Sequence, residues 1–198
     1  MLFLSDEWLS LYNDFINKYD LNITVEDLYF TIDKKEKENP DTYISEDNLI
    51  DYINSSLSVN IDKEMFRELL DGYAKLPLLK LDIVEDVLSY LSSKYELVSY
   101  SNWFSDNQLL RLKLNGLAKY FSKVYGWDTL PVKPSKRGLE EIIGNNSLED
   151  YLFIGDNIDI DIKLPNSIGM KTIFYNHKNI TQDKYREIRN IEDLKNIL

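Results

Sequence analysis

The chain contains no cysteine, a single histidine and fewer basic than acidic side chains. The absence of cysteine excludes disulfides and thiolate metal sites, and it favours a cytoplasmic protein. With 23 basic against 34 acidic residues, the formal net charge of −11 argues against general nucleic-acid binding, which requires a basic face. No apolar run reaches the roughly 18 residues of a membrane span, and the start shows no signal-peptide pattern. We therefore expect a cytoplasmic protein that binds neither nucleic acid nor membrane.

The rest of the composition is that of a globular protein: 198 residues, 43% hydrophobic and 13% aromatic. This length suits one domain with a smaller inserted or appended unit. The pattern of apolar residues changes near Pro77. Residues 5–76 have helical spacing throughout, whereas from Asp82 onwards helices alternate with short strands. Such alternation requires parallel strands joined by right-handed crossovers, so we predict a helical unit over 5–76 and an α/β unit over 77–198.

Two features of the helical unit are expected to be structural. The aromatic stripe that includes Trp8, Tyr12 and Phe15 has the spacing of a buried helix face. The charged run Asp33–Glu38, read as Asp-Lys-Lys-Glu-Lys-Glu, is typical of a solvated helix end or loop. We therefore expect neither feature to bind a ligand.

The most informative segment is residues 151–161, where a short apolar run breaks at Gly155 into a cluster of carboxylates. Asp156, Asp159 and Asp161 follow the glycine. A buried strand, a glycine and then an acid is how an α/β sheet presents ligands at its carboxyl edge. Mg²⁺ takes one or two carboxylates, keeps several waters and accepts phosphate oxygens, so this loop suits Mg²⁺. The alternative is an acidic, solvated loop after a buried strand.

Two earlier positions complete a possible phosphate site. Ser101 and Asn102 end a predicted strand over 96–100, and Lys133 precedes another helix start. The hydroxyl can donate to a phosphate oxygen, the lysine can neutralise phosphate charge and the acids can hold the metal. The helix after Ser101 is predicted to begin at Ser105, with Gln108 completing a capping box.

This constellation resembles the haloacid dehalogenase superfamily of phosphatases and related hydrolases. Ser101 matches the second motif of that family, Lys133 the third, and Gly155, Asp156 and Asp161 the fourth; the similarity covers about residues 77–176. The resemblance implies a Rossmann-like, three-layer parallel sheet under a small helical cap. It also implies a Mg²⁺-dependent phosphatase of a small phosphorylated metabolite.

The resemblance also assigns roles to single residues. Ser101, Asn102 and Lys133 would hold the phosphoryl group, and Asp156 and Asp161 the metal. Asp159 is expected to face water. His177, the single histidine, lies beyond the last predicted strand and is expected at the surface.

The sequence departs from the family at its first motif, DxDxT followed by Leu, whose first Asp is the nucleophile. The chain opens Met-Leu-Phe-Leu-Ser-Asp, and Leu2 aligns with the Leu that follows the motif. A rival alignment places Asp6 at the second Asp, but Leu4 then occupies the nucleophile position. On the first alignment both Asp residues of the motif are missing, and so is the central first strand, which the resemblance places between the strands bearing Ser101 and Asp156. On either alignment no nucleophilic Asp is present, so the chain as given should not turn over covalently.

Two explanations stay open at this point. The sequence is an incomplete form of an active enzyme, or it is a non-catalytic binding protein derived from the same fold. A dehalogenase is a third possibility, less favoured because that chemistry does not need the metal for which Asp156 and Asp161 are arranged.

Overall fold

The computed structural model describes residues 7–38, 40–78 and 81–198, and its first four elements are helices. They are α1 (Glu7–Lys18), α2 (Val25–Glu38), α3 (Glu46–Leu57) and α4 (Lys63–Lys75). Side chains accept from free N–H groups at the start of three of them, and in α2 the Thr24 hydroxyl accepts from Asp27 N. The Ser45 hydroxyl accepts from Asn48 N in α3, and the Asp62 carboxylate accepts from Met65 N in α4.

These four helices enclose the largest hydrophobic cluster of the molecule. Leu28, Ile53 and Phe66 are fully buried in it. Trp103 and Trp127, which come from the later part of the chain, belong to the same cluster, and their ring centroids are 5.2 Å apart. The helical region is therefore packed onto the loops that follow the first two strands.

The remaining elements alternate between helix and strand. They are α5 (Leu81–Ser92), β1 (Val98–Tyr100), α6 (Ser105–Leu114), β2 (Lys123–Tyr125), α7 (Lys136–Ile143), β3 (Leu152–Gly155), α8 (Lys163–Ser167), β4 (Lys171–Tyr175), β5 (Glu187–Ile188) and α9 (Leu194–Ile197). All the strand pairs of the described residues are parallel. The predicted α/β class with a parallel sheet is confirmed.

Helices cover both faces of the strands, which makes three layers. On one face, Ile154 of β3 and Ile173 of β4 pack with Leu91 of α5. On the other face, Phe153 packs with Leu139 of α7. Neighbouring residues of β3 thus point to opposite faces, as the pleat of a strand requires.

Among the described residues the sheet consists of two pieces. β1 pairs with β2, and β3 pairs with β4, which pairs with β5. Within the described residues no pairing joins β1 to β3. A cavity of about 1040 Å³ is lined by both of these strands. Accordingly β1 and β3 are mostly half-buried, whereas the middle of β4 is fully buried.

The backbone hydrogen bonds show which groups face this gap. Ser101 N donates to Tyr125 O, so the backbone N–H and C=O groups of Ser99 also point toward β2, and those of Val98 and Tyr100 point away from it. In the same way, the backbone groups of Leu152 and Ile154 in β3 point away from β4 and toward the gap. The gap lies where the resemblance expects the first strand. The predictions for Leu2, Leu4 and Asp6 fall outside the described residues.

One local prediction in this half is wrong. α6 does begin at Ser105, but no side chain caps it in a box with Gln108. The Ser105 hydroxyl donates to Asp128 Oδ2 at 2.7 Å, and Gln108 Nε2 donates to Ser101 Oγ at 3.1 Å. The Asp128 carboxylate is a stronger acceptor than the Gln108 amide oxygen, and it accepts from the Ser105 N–H in place of the capping box.

The division into a cap over 5–76 and a core over 77–198 stays a prediction.

Candidate active site

Asn102 joins the end of β1 to the loop that follows β2. Its Oδ1 accepts from Lys133 N at 2.7 Å, and its Nδ2 donates to Lys133 O at 2.9 Å. Both backbone groups of Lys133 are therefore held by one side-chain amide. Because Asn102 follows directly after Ser101, the backbone of Lys133 is held close to the end of β1.

The Lys133 ammonium crosses to the other piece of the sheet. Its Nζ donates to Asp161 Oδ1 at 2.7 Å, and the two side chains are 12% and 6% exposed. The ammonium also lies 5.3 Å from the ring centroid of Tyr100 and 5.8 Å from that of Phe153. The structure thus brings Asn102, Lys133 and Asp161 together. The alternative of a solvated acidic loop does not describe Asp161.

The two acids at the end of the 151–161 segment have opposite surroundings. The side chain of Asp159 is 75% exposed and pairs with Lys163 one helical turn away. Asp161 is turned inward by a π-helical turn, Ile158–Ile162, and its Oδ2 accepts from Asn157 N at 3.2 Å. A Cβ added to Gly155 would lie 2.2 Å from the Asp161 Cβ. The glycine is therefore needed for Asp161 to approach the strand end.

Asp156 faces His177, a residue that we expected at the surface. His177 Nε2 lies 3.4 Å from Asp156 Oδ2, and the side chains are 20% and 9% exposed. Burial lowers the pKa of His177, and the Asp156 carboxylate opposes that shift. The expectation for His177 is wrong because β4 lies beside β3. Asp156 follows β3 and His177 follows β4, and two parallel neighbouring strands bring the residues after their carboxyl ends together. Sequence reasoning could have used this consequence of parallel pairing.

Ser101 lies at the end of β1, and among the described residues its hydroxyl donates to no acceptor. Its backbone N–H is taken by Tyr125 O at 3.0 Å, and its Oγ accepts from Gln108 at 3.1 Å. Since Oγ accepts in that contact, the hydroxyl proton is available to a ligand oxygen. The residue is half-buried.

Glu36 is a site residue that sequence reasoning missed. Its Oε1 accepts from Asn102 Nδ2 at 3.0 Å, and its side chain is half-buried. The interpretation of 33–38 as a solvated run is wrong for this residue, although Lys34 and Lys37 of the run are exposed. Burial raises the pKa of Glu36, while the bond from Asn102 and the charge of Lys133 lower it. A signal was present, because Glu36 continues the buried stripe of Leu28 and Ile32 at intervals of four residues.

The carboxylates suit Mg²⁺ in kind and number. Within the part of the chain that the structure describes, no group of three or more histidine, aspartate or glutamate side chains could hold a metal. Asp156 and Asp161 are two carboxylates with little exposed surface that follow the same strand, and Mg²⁺ requires one or two with water and phosphate completing its shell. The described helices include none long and apolar enough to cross a membrane.

Comparison with known proteins agrees with this geometry. The family model for haloacid dehalogenase-like hydrolases matches residues 5–175. The chain belongs to this family. The proposed alignment of Ser101, Lys133 and Asp156 lies within the matched range.

Two curated relatives match parts of the sequence. The pyrimidine 5'-nucleotidase PynA of Streptococcus pneumoniae is 35% identical over 92 residues, 44% of this chain and 39% of that protein. The HAD-hydrolase YfnB of Bacillus subtilis is 32% identical over 127 residues, 60% of this chain and 54% of that protein. The matches therefore span about half or less of these relatives.

Solved structures show the same fold. A magnesium-bound structure of YfnB from Bacillus subtilis superposes with a TM-score of 0.76 at 22% identity, covering 99% of this chain and 93% of that one. A HAD phosphatase from Thermococcus onnurineus gives a TM-score of 0.65 at 21% identity, covering 99% and 93%. At this level of identity the likeness concerns the fold alone.

Proposed function

We propose that this chain carries the phosphate and metal site of a Mg²⁺-dependent phosphatase that acts on a small phosphorylated metabolite in the cytoplasm. The observation that carries the proposal is the buried network from Asn102 through Lys133 to Asp161. In this network the Lys133 ammonium donates to Asp161, while the Lys133 backbone is bonded to Asn102, the residue that follows Ser101. Arranged in this way, a hydroxyl and an ammonium bind the oxygens of a phosphoryl group.

Each residue has a defined task in this proposal. The Ser101 hydroxyl donates to one phosphate oxygen, and Lys133 neutralises the phosphate charge while Asn102 holds its backbone. Asp156 and Asp161 would hold Mg²⁺, which supplies further neutralisation of the phosphate. With Asp161 holding the metal, the Lys133 ammonium would be available to the phosphate.

The attacking group is not among these residues. In the family the nucleophile is the first Asp of DxDxT, which this sequence does not contain. We therefore propose that turnover requires that motif on a strand in the gap between β1 and β3. The relative PynA is named a nucleotidase, which supports phosphate esters rather than haloacids as substrates.

Metal titration tests the ligand assignment. Asp156→Asn should abolish Mg²⁺ binding measured by calorimetry, whereas Asp159→Asn serves as a matched control and should bind as the wild type does. Equal losses in both variants, or no loss in Asp156→Asn, contradict the assignment.

An activity assay separates the enzyme from the non-catalytic alternative. A version lengthened by roughly ten residues that carry an apolar strand and DxDxT should hydrolyse a generic phosphate ester with Mg²⁺, since a strand of about five or six residues fills such a gap. The 198-residue chain should not. If the lengthened version binds phosphate and Mg²⁺ but has no turnover, the binding protein is the better description. If the short chain is active and Asp6→Asn abolishes that activity, Asp6 is catalytic and our alignment of the start is wrong.

A further inference from the structure

Glu36 brings a negative charge from the helical region to the proposed phosphate site. It lies near the end of α2, and its Oε1 is 3.0 Å from the Asn102 amide nitrogen. That same amide nitrogen donates to Lys133 O, and Asn102 follows Ser101 in the chain. The carboxylate is therefore one side chain away from the two groups that we expect to hold phosphate.

The charge of Glu36 is directed inward, unlike the charges around it. Lys37 pairs with Asp33 at 2.7 Å, and Lys34 lies 3.7 Å from Glu38. Lys35 lies over the ring of Tyr52, with its Nζ 4.7 Å from the centroid. These three contacts of the lysines go to side chains other than Glu36, whose carboxylate contacts Asn102.

The helical region is held against the site at this point by backbone bonds. Asp41 N donates to Val132 O at 3.0 Å, and Val132 N donates to Thr42 O at 2.7 Å. The segment after α2 is therefore paired with the residue that precedes Lys133. These backbone bonds and the bond from Asn102 to Glu36 hold the end of α2 against the loop that carries Lys133, so Glu36 has a defined place relative to the phosphate-binding groups.

A leaving group that lies between the phosphate and α2 meets this carboxylate. A partly buried charge acts on a neighbouring charge more strongly than an exposed one, because water screens it less. An ammonium or hydroxyl there can replace the Asn102 amide as hydrogen-bond donor, whereas a second anion is repelled.

We propose that Glu36 is a specificity-determining residue that selects phosphate monoesters whose leaving group carries an ammonium or hydroxyl close to the ester oxygen, and that rejects those carrying a second anionic group. This inference rests on the proposed function, because it assumes that phosphate binds at Ser101 and Lys133. It makes the helical region responsible for part of the substrate choice through one named side chain.

Two esters of similar size test the proposal by binding alone, without turnover. O-Phosphoethanolamine has a cationic two-carbon leaving group and 2-phosphoglycolate an anionic one. Calorimetry on the full chain with Mg²⁺ should show the former bound about tenfold more tightly, the ratio that a difference of about 1.4 kcal/mol gives. In Glu36→Gln that ratio should fall to about one, because the amide keeps the shape and removes the charge.

Glu26→Gln is the matched control, since Glu26 is an exposed glutamate in the first turn of the same helix. It should keep the tenfold ratio. Glu36→Ala, checked for folding by circular dichroism, provides a second variant and should also lose the ratio. If Glu36→Gln and Glu36→Ala keep the wild-type ratio, or if Glu26→Gln loses it equally, the role of Glu36 is overturned.

Ser101→Ala separates this inference from the proposed function. It should weaken both esters to the same extent and leave their ratio unchanged. If the ratio depends on Glu36 but neither ester depends on Ser101, the selectivity stands and the phosphate site is wrong. If Ser101→Ala weakens binding and Glu36→Gln has no effect, the phosphate site stands and the selectivity is wrong. Absence of binding in the wild type and in both Glu36 variants overturns both.

Discussion

The helical region and the sheet region of this molecule are stabilised in different ways. In the helical region, α1 to α4 enclose one cluster whose central residues, such as Leu28, Ile53 and Phe66, have no exposed surface. In the sheet region, smaller clusters lie on both faces of strands that form two separate pieces. Two of these strands, β1 and β3, are largely half-buried beside a cavity.

The difference shows what the candidate site contributes to the structure. Across the gap, backbone pairing is replaced at one edge by side chains: Asn102 holds the backbone of Lys133, and Lys133 reaches Asp161. The helical region has a continuous core, and the sheet region depends partly on a polar network. Four experiments test this comparison, from the largest expected effect to the smallest.

Truncating one isoleucine in each region should give unequal losses of stability. Ile53→Ala removes a fully buried side chain and should lower the free energy of unfolding by about 3 to 4 kcal/mol. Ile154→Ala, at the half-buried edge of β3, should cost about 1 kcal/mol, because less surface is returned to water. Urea unfolding monitored by circular dichroism measures both. Equal losses would show that the edge of β3 is as well packed as the helical core.

Removing the ammonium of the buried ion pair should cost nearly as much as Ile53→Ala. Lys133→Met leaves Asp161 buried without its partner and should destabilise the chain by about 3 kcal/mol when the metal is chelated. Excess Mg²⁺ should offset part of this loss if Asp161 is a ligand. Lys163→Met is the matched control, because the Lys163–Asp159 pair is exposed, and it should have no measurable effect. A similar loss in the two variants contradicts a structural role for the network.

Filling the gap should make the two regions more alike. In a version lengthened by an apolar strand, the cost of Ile154→Ala should rise by about 1 to 2 kcal/mol, because the residue then becomes fully buried. The same substitution in the unextended chain is the reference, and Ile53→Ala should cost the same in both versions. If the cost of Ile154→Ala stays unchanged, the added strand does not enter the gap.

The smallest expected effect is the pH dependence of folding stability that Glu36 adds at the contact between the two regions. Burial raises its pKa, and the nearby Asp33 adds to this, while Asn102, Lys133 and Lys37 oppose it. The folded state then holds a proton that the unfolded state has released, so this contribution to stability is present below the unfolded pKa. It is lost as the pH rises from about 4.5 through the folded value.

Thermal melts from pH 4 to pH 8 measure this contribution. Glu36→Gln should be more stable than the wild type at pH 7, and the difference should vanish toward pH 4. Glu26→Gln should follow the wild-type curve throughout. A Glu36→Gln curve parallel to the wild type at all pH values would show that the carboxylate titrates normally.

Much of the sheet region could be predicted from local patterns. The apolar run over 151–154, the glycine after it and Lys133 before a helix start are short-range signals, and the structure places them close to the predicted positions. The capping box at Ser105 was wrong because a distant carboxylate, Asp128, competes for the same groups. Local patterns cannot include an acceptor that arrives from 23 residues away.

The sequence by itself determined the alternation of helices and strands, the family and the residue types of the site, because periodicity and motif spacing are properties of neighbouring residues. Tertiary structure alone decided which charges face inward. Glu36 and Lys37 are adjacent, yet one contacts Asn102 and the other is exposed. Asp161 and Asp159 differ in the same way, since one is paired with Lys133 and the other with Lys163. The burial of a charge depends on the partner that the fold brings to it, and these inward-facing partners are distant in the chain.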